Sequence, residues 1–334
     1  MNTNKLVKRF HFGEIASATL LILLLFVLLF LRGSTPFDPQ VYWSNRFARS
    51  PEIRSFIIDQ IWSGEGLPTD SVEVLEDTTE PLHSATNLRQ VEQLSINMGN
   101  GFISRPHIFY PRIPNKRLAL VHQGHNSQNY EDFGLGDTIR ELVDEGYTVV
   151  AFVMPGDPPL TGVHISYPQP TEHLNYLRYY VEPVIRTLNW LANQQWERIG
   201  MTGISGGGWT TTLASAIDER IEVSVPVAGS MPHNSYVEGD WEQQLPGLLP
   251  VDYLDLYLLA VTEGRHQVQI LNVHDSCCFD YRRYQRIFPY DRIVSRIAAD
   301  HGGQWQLVWD DTHQQHTISE FSREIILQTL SENR

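Results

Sequence analysis

The sequence RIGMTGISGGGWTTTLASAI occupies residues 198–217 and falls into three parts. Residues 198–202 predict a short β-strand, and residues 209–217 predict a helix. The glycine-rich turn GISGG lies between them, with Ser205 at its centre. Glycines on both sides of Ser205 remove Cβ atoms that would collide in so tight a turn. The turn would present the Ser205 hydroxyl above a sheet, close to the first N–H groups of a helix, and so predicts a nucleophile.

Two other interpretations of this turn are available. Ser205 could act only as the N-cap of a glycine-rich helix start. A phosphate-binding loop is a second alternative, but a P-loop requires a lysine that this turn lacks.

Strands and helices alternate along the chain on both sides of the serine turn. We predict further strands at 90–96, 102–110, 118–121, 148–153, 221–227, 267–273 and 304–309, and helices at 137–145, 174–191, 281–299 and 318–330. This alternation predicts an α/β fold with a mostly parallel sheet that is covered by helices on both faces. The GNG turn at residues 99–101 predicts an antiparallel hairpin at one edge.

The strand, the serine turn and the helix resemble the nucleophile elbow of the α/β-hydrolase superfamily. The resemblance extends from about residue 91 to the end of the chain and points to no particular family. It implies a catalytic triad in the order serine, acid, histidine, with two main-chain N–H groups that stabilise the oxyanion. No cofactor is implied.

The oxyanion donors are expected at two places. The sequence HQGH at residues 122–125 follows a predicted strand directly, where the resemblance implies a donor loop. The N–H of Gly124 or of His125 would be one donor, and the N–H of Gly206 would be the other. An ordinary strand-to-helix loop with a hydrogen-bonded histidine is the alternative.

The acid and the base are expected after the last two strands. Asp275 follows the predicted strand 267–273, and Asp280 is the alternative acid. His316 lies next to a predicted helix start after the last strand, and His313 is the alternative base. Both aspartates could instead only cap turns or helices. The resemblance favours a triad of Ser205, Asp275 and His316.

Two H-x-x-H pairs, at residues 122/125 and 313/316, raise the hypothesis of a metal site that includes Asp275. Such a site would leave the serine turn unexplained, so we predict no metal. The two cysteines, Cys277 and Cys278, are adjacent, and neighbouring cysteines rarely satisfy disulfide geometry. We therefore predict no disulfide framework and interpret both as small buried packing residues.

The formal net charge of −14 argues against a nucleic-acid partner, because the basic surface that such binding requires is missing. Residues 15–31 form an almost wholly apolar run that begins after Lys5, Lys8 and Arg9. The run could just span a bilayer, and no clear signal-peptidase site follows it. It predicts a single-pass signal anchor with the catalytic domain on the non-cytoplasmic side, whereas a cleaved signal and a buried helix are the alternatives.

The sequence thus predicts an N-terminal tail and transmembrane anchor at 1–32, a stalk with a short helix at 33–84, and an α/β-hydrolase domain at 85–334. An insertion or cap is expected at about 231–262. The predicted function is hydrolysis of a carboxylic ester, in a small-molecule or acylated substrate, through an acyl-enzyme on Ser205. A serine peptidase or amidase of the same fold and a non-catalytic binding protein are the alternatives.

Overall fold

The structure is a computed structural model of the chain. It describes residues 37–70, 72–75, 85–99, 102–125, 127, 129–155, 177–232, 251–277, 279 and 290–332. The predicted anchor at 15–31, the alternative acid Asp280 and residues 233–250 of the predicted cap lie outside these ranges. Within them, no helix is both long and apolar enough to cross a bilayer.

The chain divides into two compact units, Met1–Tyr42 and Trp43–Arg334. In the described part of the first unit, the Asp38 carboxylate accepts a hydrogen bond from the N–H of Gln40 at 2.9 Å. The rings of Phe37 and Tyr42 lie 5.6 Å apart.

Eight α-helices and ten strands are found in the described residues. The helices are α1 Pro39–Phe47, α2 Ser50–Ile61, α3 Leu135–Asp144, α4 Arg178–Trp190, α5 Gly206–Ile217, α6 Tyr253–Leu259, α7 Tyr290–Asp300 and α8 Glu320–Ser331. The strands are β1 Glu73–Leu75, β2 Leu88–Asn97, β3 Ile103–Ser104, β4 His107–Pro111, β5 Arg117–His122, β6 Thr148–Phe152, β7 Arg198–Ile204, β8 Val223–Val227, β9 His266–Asn272 and β10 Gln304–Asp310.

The strands form one mixed sheet in the order β1-β2-β4-β6-β5-β7-β8-β9-β10, and β3 pairs with β2. The pairs from β1 to β6 are antiparallel, whereas β6, β5, β7, β8, β9 and β10 run parallel to one another. This arrangement confirms the predicted parallel sheet with an antiparallel edge. Because parallel strands end at the same edge of a sheet, the loops after β5, β7, β9 and β10 share one side of the domain.

Helices pack on both faces of the sheet and form two hydrophobic clusters. Helices α2, α4, α5, α6 and α7 contribute to one cluster, and α3 and α8 to the other. Ile57 and Ile61 of α2 are fully buried, so the helix within the predicted stalk belongs to the core of the second unit.

Two predicted elements differ from those in the structure for reasons that the local sequence explains. The predicted strand 102–110 is divided into β3 and β4, and Pro106, which has no N–H to give to a sheet, lies between them. Helix α5 begins at Gly206, because the first helical positions need no intrahelical N–H bond and the packed surroundings hold the glycines there.

Candidate active site

The serine turn has the strained backbone that the sequence predicts. Ser205 links β7 to α5 with φ 57° and ψ −124°, a conformation that side-chain-bearing residues rarely adopt. Its N–H donates to the carbonyl of Val227 in β8 at 3.0 Å, which holds the turn against the neighbouring strand. Strain of this kind persists only where the surroundings enforce it, and it is concentrated at functional sites.

Gly203 shows why the turn needs glycine. A Cβ at this position would lie 2.5 Å from the carbonyl oxygen of Gly207 and 2.8 Å from that of His122. Both contacts are with backbone, which cannot rotate away as a side chain can. The close approach of β7, β5 and the start of α5 therefore excludes any larger residue.

Helix α5 is a rigid support for the turn, since all its residues are buried. Its last carbonyls are held by two buried arginines: Arg54 donates to Ala216 O at 2.9 Å, and Arg265 donates to Ser215 O at 2.6 Å. At the other end, the N–H of Gly206 lies in the first helical turn, where no intrahelical acceptor exists. The positive end of the helix dipole therefore lies beside Ser205.

Asp275 and His316 are brought together on the loops after β9 and β10. The Asp275 Oδ2 atom lies 2.7 Å from His316 Nδ1, and the side chains are 0% and 10% exposed, respectively. Asp275 Oδ1 accepts a second hydrogen bond, from the N–H of Cys277 at 2.8 Å. Because the carboxylate accepts from Nδ1–H, the proton-accepting nitrogen of a neutral His316 is Nε2. This Nε2 atom is buried and has no hydrogen-bond partner among the described residues.

His313, the alternative base, contacts a different carboxylate. Its Nε2 atom lies 3.4 Å from Asp310 Oδ2. Asp310 also accepts hydrogen bonds from the hydroxyls of Thr312, Ser319 and Ser322, and these bonds lower the pKa of its carboxyl although burial opposes them. Asp310 thus connects the end of β10 to the start of α8 and fixes both ends of the histidine loop.

Ser205 and His316 share the same side of the sheet without a direct hydrogen bond between Oγ and Nε2 in the described residues. Asp275 follows β9, which is two strands from β7 and therefore about 10 Å away at ordinary strand spacing. An imidazole held by Asp275 can bridge such a gap. Catalytic hydrogen bonds are often long in unliganded enzymes and shorten when substrate binds.

The loop after β5 passes directly beside Ser205. A Cβ on Gly124 would lie 2.9 Å from Ser205 Cβ, and a Cβ on Gly206 would lie 2.5 Å from His125 Nδ1. The N–H of Gly124, however, already donates to the side-chain Oε1 of Gln123 at 2.9 Å. Of the two loop donors predicted, Gly124 would have to give up this bond to serve an oxyanion.

His122 does not have the environment of a catalytic base. It is 1% exposed, stacks on Phe152 at 5.9 Å, and lies 2.9 Å from the carbonyl of Gln123 through Nδ1. Burial lowers the pKa of His122 to about 4, so the ring is neutral at pH 7. Among the described residues, no group of three His, Cys, Asp or Glu side chains could hold a metal ion.

The interpretation of the cysteines as buried packing residues is wrong for Cys277. Cys277 is exposed in a bend, and its sulfur is disulfide-bonded. The chain has one other cysteine, Cys278, which lies outside the described residues. The expectation that these cysteines form no disulfide is therefore wrong as well.

Three residues near the site carry no signal in the sequence. Gln123 braces the loop after β5, Asp310 braces the histidine loop, and the Phe133 ring lies 5.9 Å from that of His316. The role of each residue depends on the path of a loop in the folded chain, and the spacing of residues along the sequence does not reveal that path.

Comparison with known proteins gives a family and a fold. Residues 79–320 match the family model described as X-Pro dipeptidyl-peptidase (S15 family). No curated protein matches the chain. Among solved structures, the chain is similar to the methylesterase BT1017, with a TM-score of 0.61 and 14% identity over 91% of this chain and 66% of that one, so it spans about two thirds of that protein.

Two further structures have the same fold at similar distance. An acetyl xylan esterase from Paenibacillus sp. R4 gives a TM-score of 0.54 and 17% identity over 89% of this chain and 95% of that one. A glucuronoyl esterase from Solibacter usitatus gives 0.57 and 11% identity over 84% and 91%. At these identities the likeness establishes the fold alone.

Proposed function

The chain belongs to the X-Pro dipeptidyl-peptidase (S15) family and is a hydrolase of the α/β-hydrolase superfamily, and from this premise we propose that it cleaves a carboxylic ester through an acyl-enzyme on Ser205. The observation that carries the proposal is the buried pair of Asp275 and His316, 2.7 Å apart, on the same side of the sheet as the strained serine turn. Nucleophilic acyl transfer requires a serine, an imidazole and a carboxylate, and these three side chains lie on this one side of the sheet.

In the proposed mechanism, Oγ of Ser205 attacks the substrate carbonyl while Nε2 of His316 takes its proton. The Nδ1–H of His316 donates to Asp275, which orients the ring and stabilises its charged form. The oxyanion accepts hydrogen bonds from the N–H groups of Gly206 and His125. His316 then returns the proton to the departing alkoxide, and water repeats the sequence to release the acid.

The ester is the first substrate class to test because its alkoxide leaves more easily than an amine. The wild-type chain should hydrolyse p-nitrophenyl acetate and react with a fluorophosphonate probe, whereas Ser205→Ala should do neither. His316→Ala should lower kcat by at least about 10³-fold, as expected for loss of a triad member. His313→Ala is the matched control and should retain most activity. A folded wild-type chain that never reacts with the probe would instead indicate a non-catalytic binding protein.

Peptidase activity is the second candidate, since the family model is named for X-Pro dipeptidyl-peptidase. The same Ser205 chemistry would then act on the amide bond after an X-Pro dipeptide. Glycyl-prolyl-p-nitroanilide tests it beside the ester. A higher kcat/KM for the anilide than for the ester would replace the esterase proposal, and both activities should vanish in Ser205→Ala.

We also propose that residues 15–31 anchor the chain in a membrane with the catalytic domain on the non-cytoplasmic side. The apolar run follows a cationic cluster, as in proteins that keep their N-terminus inside. Phe37 and Tyr42, 72% and 43% exposed, follow it closely, and aromatic residues favour the bilayer interface. The disulfide at Cys277 supports an oxidising compartment.

Alkaline extraction tests the anchor. The full chain should stay in the membrane fraction, and a chain without residues 1–36 should be released. In sealed vesicles of known orientation, protease should digest the catalytic domain only from the non-cytoplasmic face. Release of the full chain by carbonate, or digestion from the opposite face, would contradict this part of the proposal.

A further inference from the structure

Gln123 is a buried polar residue that the proposed mechanism does not use. It follows β5 directly, is 0% exposed, and forms three side-chain hydrogen bonds. Its Oε1 accepts from the N–H of Gly124 at 2.9 Å. Its Nε2 donates to the carbonyls of Asn129 at 3.0 Å and Asp132 at 3.2 Å. One side-chain amide therefore fixes both ends of the loop from residue 124 to residue 132.

The two ends of this loop lie against different parts of the site. Gly124 touches the nucleophile, since a Cβ there would lie 2.9 Å from Ser205 Cβ. Asp132 precedes Phe133, whose carbonyl accepts the N–H of Ile318 at 2.9 Å and whose ring lies 5.9 Å from the imidazole of His316. The bonds of Gln123 thus join the surroundings of the serine to those of the histidine.

We propose that Gln123 is a positioning residue, which holds the loop after β5 against Ser205 and keeps Phe133 beside His316. This inference rests on the proposed serine-hydrolase function. The amide suits the task because it supplies an acceptor and two donors without a charge at any working pH.

The test is Gln123→Glu, which keeps the size and the acceptor but loses both donors when ionised. A loop displaced by about 1 Å should lower kcat by about 10²-fold. KM for p-nitrophenyl acetate should change little, because the oxyanion contacts strengthen in the transition state. Gln123→Met, which is uncharged and of similar length, serves if the glutamate variant does not fold.

Gln267→Glu is the matched control. Gln267 is also 0% exposed and has three side-chain hydrogen bonds, to Ser215, Ser224 and Trp305. It lies at the start of β9, at the edge of the sheet opposite to Asp275. The same chemical change there should lower the melting temperature and leave the kcat of the folded protein unchanged.

The outcomes separate this inference from the function on which it rests. Wild-type kcat in folded Gln123→Glu and Gln123→Met, on an active wild type, would overturn the inference alone. If the wild type neither hydrolyses esters nor reacts with a fluorophosphonate, the proposed function has failed. Amide hydrogen exchange at residues 124–132 then decides: faster exchange in Gln123→Glu than in Gln267→Glu supports the bracing role, and equal exchange overturns it.

Discussion

Single residues of this fold bear costs in backbone strain or in lost solvation that the surrounding packing enforces. Ser205 has a positive φ, and His107 and His122 are buried where a charged imidazole is poorly solvated. Both the backbone strain and the lost solvation can be measured, because a substitution can remove each of them and keep the surrounding packing.

Ser205→Gly should stabilise the fold. Glycine adopts φ 57° without the strain of about 1–3 kcal/mol that a Cβ imposes, and loses about 0.5–1 kcal/mol through its greater entropy when unfolded. We expect a net gain of about 1 kcal/mol in the free energy of unfolding, whereas Ser205→Ala keeps the Cβ and should match the wild type. Urea denaturation of the three proteins measures the difference, and equal midpoints for the glycine and alanine variants would contradict the strain.

His107 should make stability depend on pH. Its Nδ1 lies 3.1 Å from the Tyr130 hydroxyl and its Nε2 lies 3.0 Å from the Gln93 amide, and burial lowers the pKa of His107 to about 4. The unfolded imidazole, with a pKa near 6.5, takes up a proton that the folded one refuses. Stability should therefore fall as pH decreases from about 6.5 to 4, by up to about 3 kcal/mol from this residue.

His107→Gln removes that titration and retains hydrogen-bonding capacity. Urea denaturation at pH 7 and at pH 4.5 should show a smaller loss of stability for the variant than for the wild type. Equal losses in the two proteins would mean that His107 does not remain neutral in the fold.

The sequence predicted some of these residues and not others, for physical reasons. Ser205 could be predicted because glycines in a strand-to-helix turn indicate that larger side chains would collide there. The choice between His316 and His313 depends on which carboxylate each one meets, Asp275 or Asp310, and that follows from the path of the loop. The role of Gln123 could not be predicted because its three hydrogen-bond partners are backbone groups, and backbone groups are the same at every position of a sequence.

Among the elements, β7, β5 and the start of α5 lie so close together that Gly203 has no room for a Cβ. Gly203→Ala should be severe, since its Cβ meets backbone of Gly207 and His122 within 2.8 Å. Gly200→Ala is the matched control in the same strand, because the one close contact of its Cβ is with the end of the Leu330 side chain, and the Val223 carbonyl lies at an ordinary 3.6 Å. We expect a loss of at least about 3 kcal/mol for the first variant and about 1 kcal/mol for the second.

Thermal denaturation and fluorophosphonate reactivity measure the two glycine variants. Gly203→Ala should also react slowly with the probe, because the clash displaces the serine turn. A Gly203→Ala protein as stable and as reactive as Gly200→Ala would show that β7 can move away from α5.

Element boundaries were predictable where periodicity was strong and uncertain where single residues decide them. The sequence located β5 to β10 within a few residues because apolar strands alternate with amphipathic helices. It missed the start of α5 because glycine has a low helix propensity, which the complete burial of this helix overrides. The sequence predicted β3 and β4 as one strand, because the break between them depends on the single residue Pro106.

For the whole molecule, residues 47–62, which include α2, decide where the catalytic unit begins. Phe47, Ile57, Ile61 and Trp62 are buried in the core, and Arg54 holds the last turn of α5. Each large apolar side chain contributes about 1.5–3 kcal/mol on burial. Their sum is comparable to the entire stability of an ordinary domain, about 5–15 kcal/mol.

A chain that lacks residues 1–36 should therefore fold and react with a fluorophosphonate as the full chain does, whereas one that lacks residues 1–62 should not fold. Near-ultraviolet circular dichroism and probe labelling report both properties. A cooperative melting transition in the shorter chain, within a few degrees of that of the longer one, would show that α2 is dispensable.

The fold class could be predicted at this scale, but the strand order could not. Alternating elements indicate a parallel sheet, yet the placement of β6 before β5 depends on the handedness of crossovers and on which faces bury together. The predicted stalk illustrates the same difficulty, because helical spacing at residues 51–62 showed an apolar face without its partner, which is α5 and α6 in the folded chain.

Helix α5 has no residue at the surface, and this restricts how such a protein can diversify. A substitution at any position of this helix alters the packing against a neighbouring element. Selection for a new substrate therefore finds no position in the helix where a substitution leaves stability unchanged. Sequence variation is tolerated in the connections that follow the carboxyl ends of the strands. A mutational library built for altered specificity should therefore leave residues 206–217 unchanged and place its diversity in those connections.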